Sequence, residues 1–184
     1  MTPEQNAIIK ADIAANSDLN VFPNNSDGSY AIAELYNLPA VPPFSVWKTN
    51  VPVSSIYDGI NWSLYTPTDS PEASGMYTAR AQAIQIKQMN LQNMLQGRET
   101  VDCSKANIRS GLRDAVIQIP SGASGANTSP GGSSGVNVLS NCVRTATRLE
   151  KLLSTGPATT GSVTANILGF EGAVTPHDID LARA

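Results

Sequence analysis

The chain has 184 residues, a net charge of −3 and only 15% charged side chains, against about 25% in an average soluble protein. This length suits one domain with a sizeable core. No stretch approaches the roughly 18 consecutive apolar residues of a membrane span, and the N-terminus, MTPEQNAIIKADIAA, lacks the basic and apolar regions of a signal peptide. We therefore expect no membrane association.

The charge is unevenly distributed along the chain. Residues 1–75 carry eight acids and two bases (−6), residues 76–155 carry nine bases and four acids (+5), and residues 156–184 carry three acids and one base (−2). Such segregation would let the positive part of one copy dock on the negative part of the next. An ordinary surface with chance clustering is the alternative.

Residues 1–75 are expected to form short helices joined by loops. The first helix begins after Thr2, where Pro3 and Gln5 complete the start signal of a capping box. A second short helix follows a run of turn formers, in GSYAIAELYN. Prolines then interrupt the chain repeatedly up to Pro52, so VWKTNVPV is at most a short edge strand.

The main helices of the bundle are expected at 76–119 and 137–155. MYTARAQAIQIKQMNLQNMLQG has no proline or internal glycine and is rich in strong helix formers. A further helix runs to about Ile119, and VNVLSNCVRTATRLEKLLS carries an apolar stripe at helical spacing. The segment between them, residues 120–136, is interpreted as an extended flexible loop or arm.

Residues 156–184 are expected to form two short C-terminal helices. One is TGSVTANILGFEG, capped by Thr160 or Ser162, and the other is TPHDIDLARA, which starts at Thr175 and Pro176. The sequence thus predicts a single all-α domain over residues 1–184. It is an irregular bundle of about five to seven helices with long Pro/Gly/Ser-rich loops and at most one minor β-hairpin or edge strand.

No residue pattern in the chain is typical of an enzyme or of a metal or cofactor site. His177 is the only histidine and has no nucleophile or partner acid placed to use it as a base. Cys103 and Cys142 with one histidine do not supply the four ligands of a zinc site, so we interpret both thiols as small hydrophobes. We expect no catalytic, cofactor-binding or metal-binding residues.

The stretch PSGASGANTSPGGSSG, residues 120–135, is longer than the roughly 2–8 residues that a helical hairpin needs. Excess loop of this kind is usually functional or disordered. We hypothesise an arm that orders against a neighbouring subunit, a portal protein or the channel; a disordered tether with no partner is the alternative. The candidate contact residues are Pro120, Gly122, Gly125, Pro130, Gly131, Gly132 and Gly135.

Two predicted helices carry cations at helical spacing, and an antiparallel arrangement would join them in one basic patch. It could contact DNA phosphates or the acidic part of a neighbouring subunit, or be a solvated surface with local ion pairs. The acidic net charge and sparse aromatics argue against a dedicated nucleic-acid binder. The patch consists of Lys105, Arg109, Arg113, Arg144, Arg148 and Lys151.

Four stretches, covering nearly the whole chain, carry a family resemblance. They are FPNNSDGSYAIAELYNLPAVPPFSVWKTNVPV, QMNLQNMLQGRETVDCSKANIRSGLRDA, RTATRLEKLLSTG and TGSVTANILGFEGAVTPHDIDLAR. The chain resembles a family of small tailed-bacteriophage virion proteins that are encoded among the head and tail genes. These motifs are structural rather than catalytic, so the resemblance implies no enzymatic activity.

The resemblance implies a head–tail connector: a neck or adaptor protein that joins the portal to the tail as a ring of about twelve copies. Its expected partners are further copies of itself, the portal protein and tail or neck proteins, with genomic DNA passing without sequence-specific binding. It would assemble in the host bacterial cytoplasm and reside in the virion neck. Tail completion and head decoration are the alternatives within the virion, and a small helical DNA-binding protein that uses the basic patch is the alternative of another class.

Overall fold

The computed structural model describes residues 1–71, 76–122 and 124–184, and the expectations above extend over 72–75 and 123, which lie outside the described residues. The protein is a mixed α/β structure, 49% helical and 13% strand, with eight α-helices, a four-stranded mixed sheet and two small sheets in the described part. The prediction of an all-α bundle is therefore wrong.

The elements follow one another in short segments. The α-helices are α1 Pro3–Ala15, α2 Ser26–Asn37, α3 Val53–Asp58, α4 Tyr77–Leu95, α5 Ala106–Val116, α6 Val136–Asn141, α7 Arg148–Leu152 and α8 Pro176–Arg183. Two 3₁₀ turns cover Trp62–Tyr65 and Ser133–Gly135. The strands are β1 Ser45–Trp47, β2 Val51–Pro52, β3 Thr100–Val101, β4 Ile119–Pro120, β5 Asn127–Thr128, β6 Val143–Thr145, β7 Pro157–Thr160 and β8 Val163–Asn166.

The strands form one larger sheet and two minimal ones. The larger sheet has the order β6-β1-β8-β7, and β1 runs parallel to β8 with Val46 opposite Asn166. The pairs β2–β3 and β4–β5 are antiparallel. In the larger sheet, only β7 and β8 are joined by a tight turn, whereas the other neighbouring strands lie far apart along the chain. Local sequence patterns therefore do not reveal this sheet.

The contacts divide the chain into two compact units. Unit 1 comprises Met1–Val46, Thr145–Pro157 and Asn166–Ala184, and unit 2 comprises Trp47–Arg144 and Ala158–Ala165. That residues 1–184 form a single domain stays a prediction.

Unit 1 is built around α1, α2, α7 and α8. Its core is made of aliphatic side chains such as Ile9, Ile32 and Ile179, all fully buried. The helix starts expected at Thr2 and Thr175 are confirmed, and both are capping boxes, since each hydroxyl accepts from the backbone N–H of the third helical residue. These caps satisfy backbone donors that the helix itself leaves unpaired.

Unit 2 packs α4 against α5, and α3 against α6. Trp47 is fully buried in it, and its indole N–H donates to the carbonyl oxygen of Ala158 at 3.0 Å. Tyr65 is buried as well, donates its hydroxyl to the Ala115 carbonyl at 2.9 Å, and has its pKa raised to about 12 by burial. Each large polar aromatic in this core thus has a partner for its polar atom.

Three segments expected to be helical contain strands instead. In the segment 76–119, β3 lies between α4 and α5, and α5 ends at Val116, so that Ile119 belongs to β4. Residues 137–155 are divided into α6, β6 and α7, because Thr147 and Glu150 form a capping box that starts a new helix inside the segment. The segment from Thr160 onward forms the β7–β8 hairpin, with Gly161 at a positive φ of 59° in its turn. A Gly-Ser pair between β-branched residues is a hairpin signal, which the helical interpretation overlooked.

Candidate interaction surface

Most of the Gly/Ser-rich stretch at residues 120–135 is packed within unit 2. Ser121 is buried; its N–H donates to the Ala126 carbonyl at 2.8 Å, and its carbonyl accepts from the Thr68 N–H at 2.6 Å. The Pro130 carbonyl accepts from the Asn61 N–H at 2.7 Å, and the Gly131 N–H donates to the Val116 carbonyl at 3.0 Å. These bonds attach the described part of the stretch to its own subunit at both ends.

The candidate contact residues of this stretch differ in exposure. Pro130, Gly131 and Gly135 are buried. A Cβ on Gly131 would overlap the Val116 side chain, so the backbone approaches Val116 as only glycine allows. Pro120, Gly122 and Gly132 are half-buried, and Gly125 alone is exposed. In the described part of the stretch, residues 124–127 form an exposed tip, and Ser133 is exposed as well.

The six cations of the expected basic patch are divided between the units. Lys105, Arg109, Arg113 and Arg144 belong to unit 2, and Arg148 and Lys151 to unit 1. Lys105 pairs with Asp102 at 3.4 Å, and Arg113 pairs with its neighbour Asp114 at 3.0 Å. Arg148 and Lys151 line a cavity of about 380 Å³ in unit 1 together with Asp12 and Asp18, so their surroundings are of mixed charge.

Arg109 is only 2% exposed and is part of the core of unit 2. Its guanidinium donates to the carbonyls of Cys103 and Ser104 at 2.9 and 2.6 Å and to the Thr160 hydroxyl at 3.0 Å. It also lies over the Trp47 ring, 4.7 Å from the centroid. Burial lowers the Arg109 pKa, and the neighbouring acidic groups oppose that shift. A guanidinium held in this way organises the core and does not face a partner.

One surface of unit 2 is unusual in composition: the outward side of α4, which we call the α4 outer face. Its residues recur at intervals of three and four, and all are exposed, with Ile86 at 53% and Met89 at 54%. None carries a charge. The α4 outer face consists of Gln82, Gln85, Ile86, Met89, Asn90 and Asn93.

The opposite side of α4 accounts for the other apolar residues of this helix. Ile84, Leu91 and Leu95 are buried there. Lys87 is also directed inward, and its ammonium donates to the carbonyls of Asp114 and Ile117 at 2.6 and 2.7 Å, beside the end of α5. Burial lowers the Lys87 pKa, and Asp114 opposes the shift. The only two cations of α4, Arg80 and Lys87, are thus engaged within unit 2.

Sequence reasoning recognises the apolar residues of α4 but not that two of them, Ile86 and Met89, lie outside the core. The signal is present: apolar residues on both sides of one helix, with amides instead of charges between them.

Among the described residues, no three or more His, Cys, Asp or Glu side chains are grouped to hold a metal ion, and no helix is long and apolar enough to span a bilayer. Comparison of the chain with protein-family models, curated proteins and solved structures found no match.

Proposed function

We propose that the protein is a structural virion protein of a tailed bacteriophage: a head–tail connector that forms a ring between portal and tail. The proposal rests on the resemblance of four stretches of the sequence. The observation on the molecule that supports it best is the uncharged α4 outer face. A solvent-facing helix normally carries charged residues, whereas the centre of a protein–protein interface is depleted in them.

The distribution of charge supports a second copy of the chain as the occupant of this face. Unit 1 contains nine acids and four bases, a net charge of −5, and unit 2 contains eight bases and six acids, a net charge of +2. A ring uses two different surfaces of each subunit, which meet head to tail. Opposite net charges on the two units favour this kind of contact over one between like surfaces.

Substitution of Ile86 by glutamate tests the proposal. The exposed half of the side chain would contribute about 1 kcal/mol on burial in an interface, whereas an unpaired charge buried there costs about 3–5 kcal/mol. Ile86→Glu should therefore abolish ring formation, alone or on portal particles, as measured by light scattering after size exclusion and by electron microscopy. Its thermal unfolding should change little, because the position is exposed in the subunit.

Leu181→Glu is the matched control. Leu181 is also 53% exposed and lies on α8, so the substitution makes the same chemical change away from the α4 outer face. We expect it to leave the ring intact. Equal assembly of Ile86→Glu and the wild type would show that the α4 outer face is not the interface.

Localisation in virions distinguishes a connector from a tail-completion or head-decoration protein. A purified protein that never joins portal particles, yet binds duplex DNA with an affinity that falls steeply with salt, would overturn the connector proposal in favour of the DNA-binding alternative. The burial of Arg109 and the ion pairs of Lys105 and Arg113 give that alternative little support.

A further inference from the structure

Unit 2 has a cleft beside α4 that exposes aromatic rings, which we call the aromatic cleft. Trp62 is 49% exposed there, and Tyr57 is exposed as well. The centroid of the Trp62 ring is 5.7 Å from those of Tyr57 and Tyr65, so the indole is held by two neighbouring rings. The cleft has a volume of about 360 Å³ and is lined by Tyr57, Trp62, Gln88, Leu91 and Gln92. Exposed Trp and Tyr side chains in a cleft are typical of contacts between proteins.

Unit 1 exposes an apolar loop at residues 38–43, which we call the proline loop. Val41 is 76% exposed, the highest value among the large apolar side chains of the described residues, and Leu38 is exposed too. The loop also exposes Pro39, Pro42 and Pro43. An apolar projection of this kind is stabilised when a cleft of another molecule covers it.

The proline loop is held in place by its own subunit. The Ala40 N–H donates to the Ala146 carbonyl at 2.9 Å, and the Leu38 carbonyl accepts from the Arg148 N–H at 2.9 Å. A preformed loop loses little conformational entropy on binding. Its prolines have no N–H that burial would leave unpaired. Covering this loop therefore costs less than covering an ordinary loop.

We propose that the proline loop of one copy docks in the aromatic cleft of the next copy. The inference rests on the proposed connector function and names the surface of unit 1 that meets unit 2. Grooves lined by aromatic side chains are a recurrent way of binding proline-rich segments. The amides of Gln88 and Gln92 can donate to carbonyls of the loop. A contact between these two unlike surfaces repeats head to tail, as a ring requires.

The position of the aromatic cleft supports a second copy as its occupant. Gln88 and Gln92 each lie three residues from a member of the α4 outer face, Gln85 and Met89 respectively. Residues three apart are neighbours on a helix, so the cleft borders the α4 outer face. One neighbouring unit 1 can therefore cover both surfaces, and its net charge is opposite to that of unit 2.

Val41→Asp tests the proline loop. The substitution would bury an unpaired carboxylate against aromatic rings, so we expect the affinity between copies to fall at least about a hundredfold. Light scattering after size exclusion over a range of concentrations, with and without portal particles, measures it. Val21→Asp is the matched control, because Val21 is 71% exposed on the same unit and lies outside the loop. It should assemble as the wild type does.

Trp62→Ala tests the other side of the contact. Removal of an anchoring tryptophan should weaken assembly at least about tenfold, whereas Trp62→Phe, which keeps a ring, should lose less. Fluorescence follows the same contact in the wild type. The chain has two tryptophans, and Trp47 is fully buried, so a blue shift of the emission on assembly reports that Trp62 leaves water. Val41→Asp should abolish the shift.

Cross-linking shows whether the two surfaces meet. Val41→Cys and Gln92→Cys, each in the full chain, are mixed and treated with a short bismaleimide. Cys103 and Cys142 are fully buried, so a link between positions 41 and 92 can form only between two copies. We expect a peptide that joins these positions, and its absence from the mixture would overturn the inference.

The outcomes separate this inference from the connector proposal. Rings that form with wild-type affinity in both Val41→Asp and Trp62→Ala would overturn the docking of the proline loop and leave the connector proposal standing. A wild type that forms no ring, alone or on portal particles, would overturn the connector proposal. The cross-linked peptide would then decide the contact between copies by itself.

Discussion

Replacement of Gly131 by alanine tests whether the Gly/Ser-rich stretch is part of the fold. The Gly131 backbone lies between α5 and α6: its N–H donates to Val116, and its carbonyl accepts from Asn137. A Cβ built there overlaps the Val116 side chain and lies 2.8 Å from Val116 Cβ and 3.3 Å from Val138 Cγ2. Val116 and Val138 are fully buried and cannot move into solvent.

The expected cost follows from this crowding. Inserting a methyl group into a packed core costs about 1–3 kcal/mol. For a chain of this length, each kcal/mol lowers the Tm by about 2–4 °C. We therefore expect Gly131→Ala to lower the Tm by several degrees and to lower the urea midpoint with an unchanged m-value. Thermal and urea unfolding, each followed by circular dichroism, measure both.

Gly122→Ala is the matched control in the same stretch. Its Cβ would lie 3.5 Å from Ala126 Cβ and 3.6 Å from Thr68 Oγ1, which is ordinary van der Waals contact, and its φ is not positive. The alanine there restricts the unfolded chain and should leave stability unchanged or raise it by about 0.4–1 kcal/mol. If both variants unfolded at the wild-type temperature, the stretch would be a flexible arm, and close packing of Gly131 against Val116 would be refuted.

Two further substitutions test the units separately. Arg109→Lys should destabilise the protein by about 1–3 kcal/mol in urea titrations, because one ammonium cannot reproduce the hydrogen bonds of the guanidinium to Cys103, Ser104 and Thr160. A loss of stability under about 0.5 kcal/mol would contradict a structural role of Arg109. Thr175→Ala should cost about 1 kcal/mol near neutral pH. Burial acts to raise the pKa of the Asp178 carboxyl, but the hydrogen bonds that it accepts from Thr175 lower this pKa overall. The stability that the pair contributes is therefore fully present above the ordinary carboxyl pKa, and it is lost as the pH falls through the lowered pKa. Unfolding at several pH values should show the deficit of the variant shrinking in acid, and a constant deficit would contradict this pairing.

Helix starts are the part of this fold that the sequence predicts best. Thr2-Pro3 and Thr175-Pro176 are local signals, and each fixes a cap by hydrogen bonds within four residues of chain. The larger sheet depends instead on neighbours far apart in sequence: β1 lies between β6 and β8. Strands of three or four residues have too little periodicity to distinguish them from a turn of helix.

The segment 137–155 shows how a valid apolar pattern led to a wrong element. Leu139, Cys142, Ala146 and Leu149 are all buried, as the helical stripe requires. The pattern records burial, however, and not the path of the backbone between buried positions. Thr147 lies inside the stripe, and its capping box with Glu150 is the local signal that a helix begins there and does not continue through it.

The cations illustrate the same limit for the candidate site. Lys105, Arg109 and Arg113 are spaced as one stripe on a helix, yet Arg109 is buried over Trp47 and the other two are not. Spacing assigns residues to a face, but what covers that face is decided by β1 and β7, which contribute Trp47 and Thr160 from distant parts of the chain. No local signal in α5 indicates that Arg109 has an aromatic partner.

The Gly/Ser-rich stretch has two physical explanations that composition cannot separate. Small side chains leave a chain flexible, and they also allow a backbone to approach a neighbouring element closely. The two differ in what a Cβ would meet: at Gly131 it overlaps Val116, whereas at Gly125 nothing lies within 4 Å. The first glycine is therefore required by packing within the subunit and the second is not. In the described part of this stretch, the side chains exposed to another molecule are those of the tip at residues 124–127 and of Ser133, and the α4 outer face is a second uncharged surface available to a neighbour.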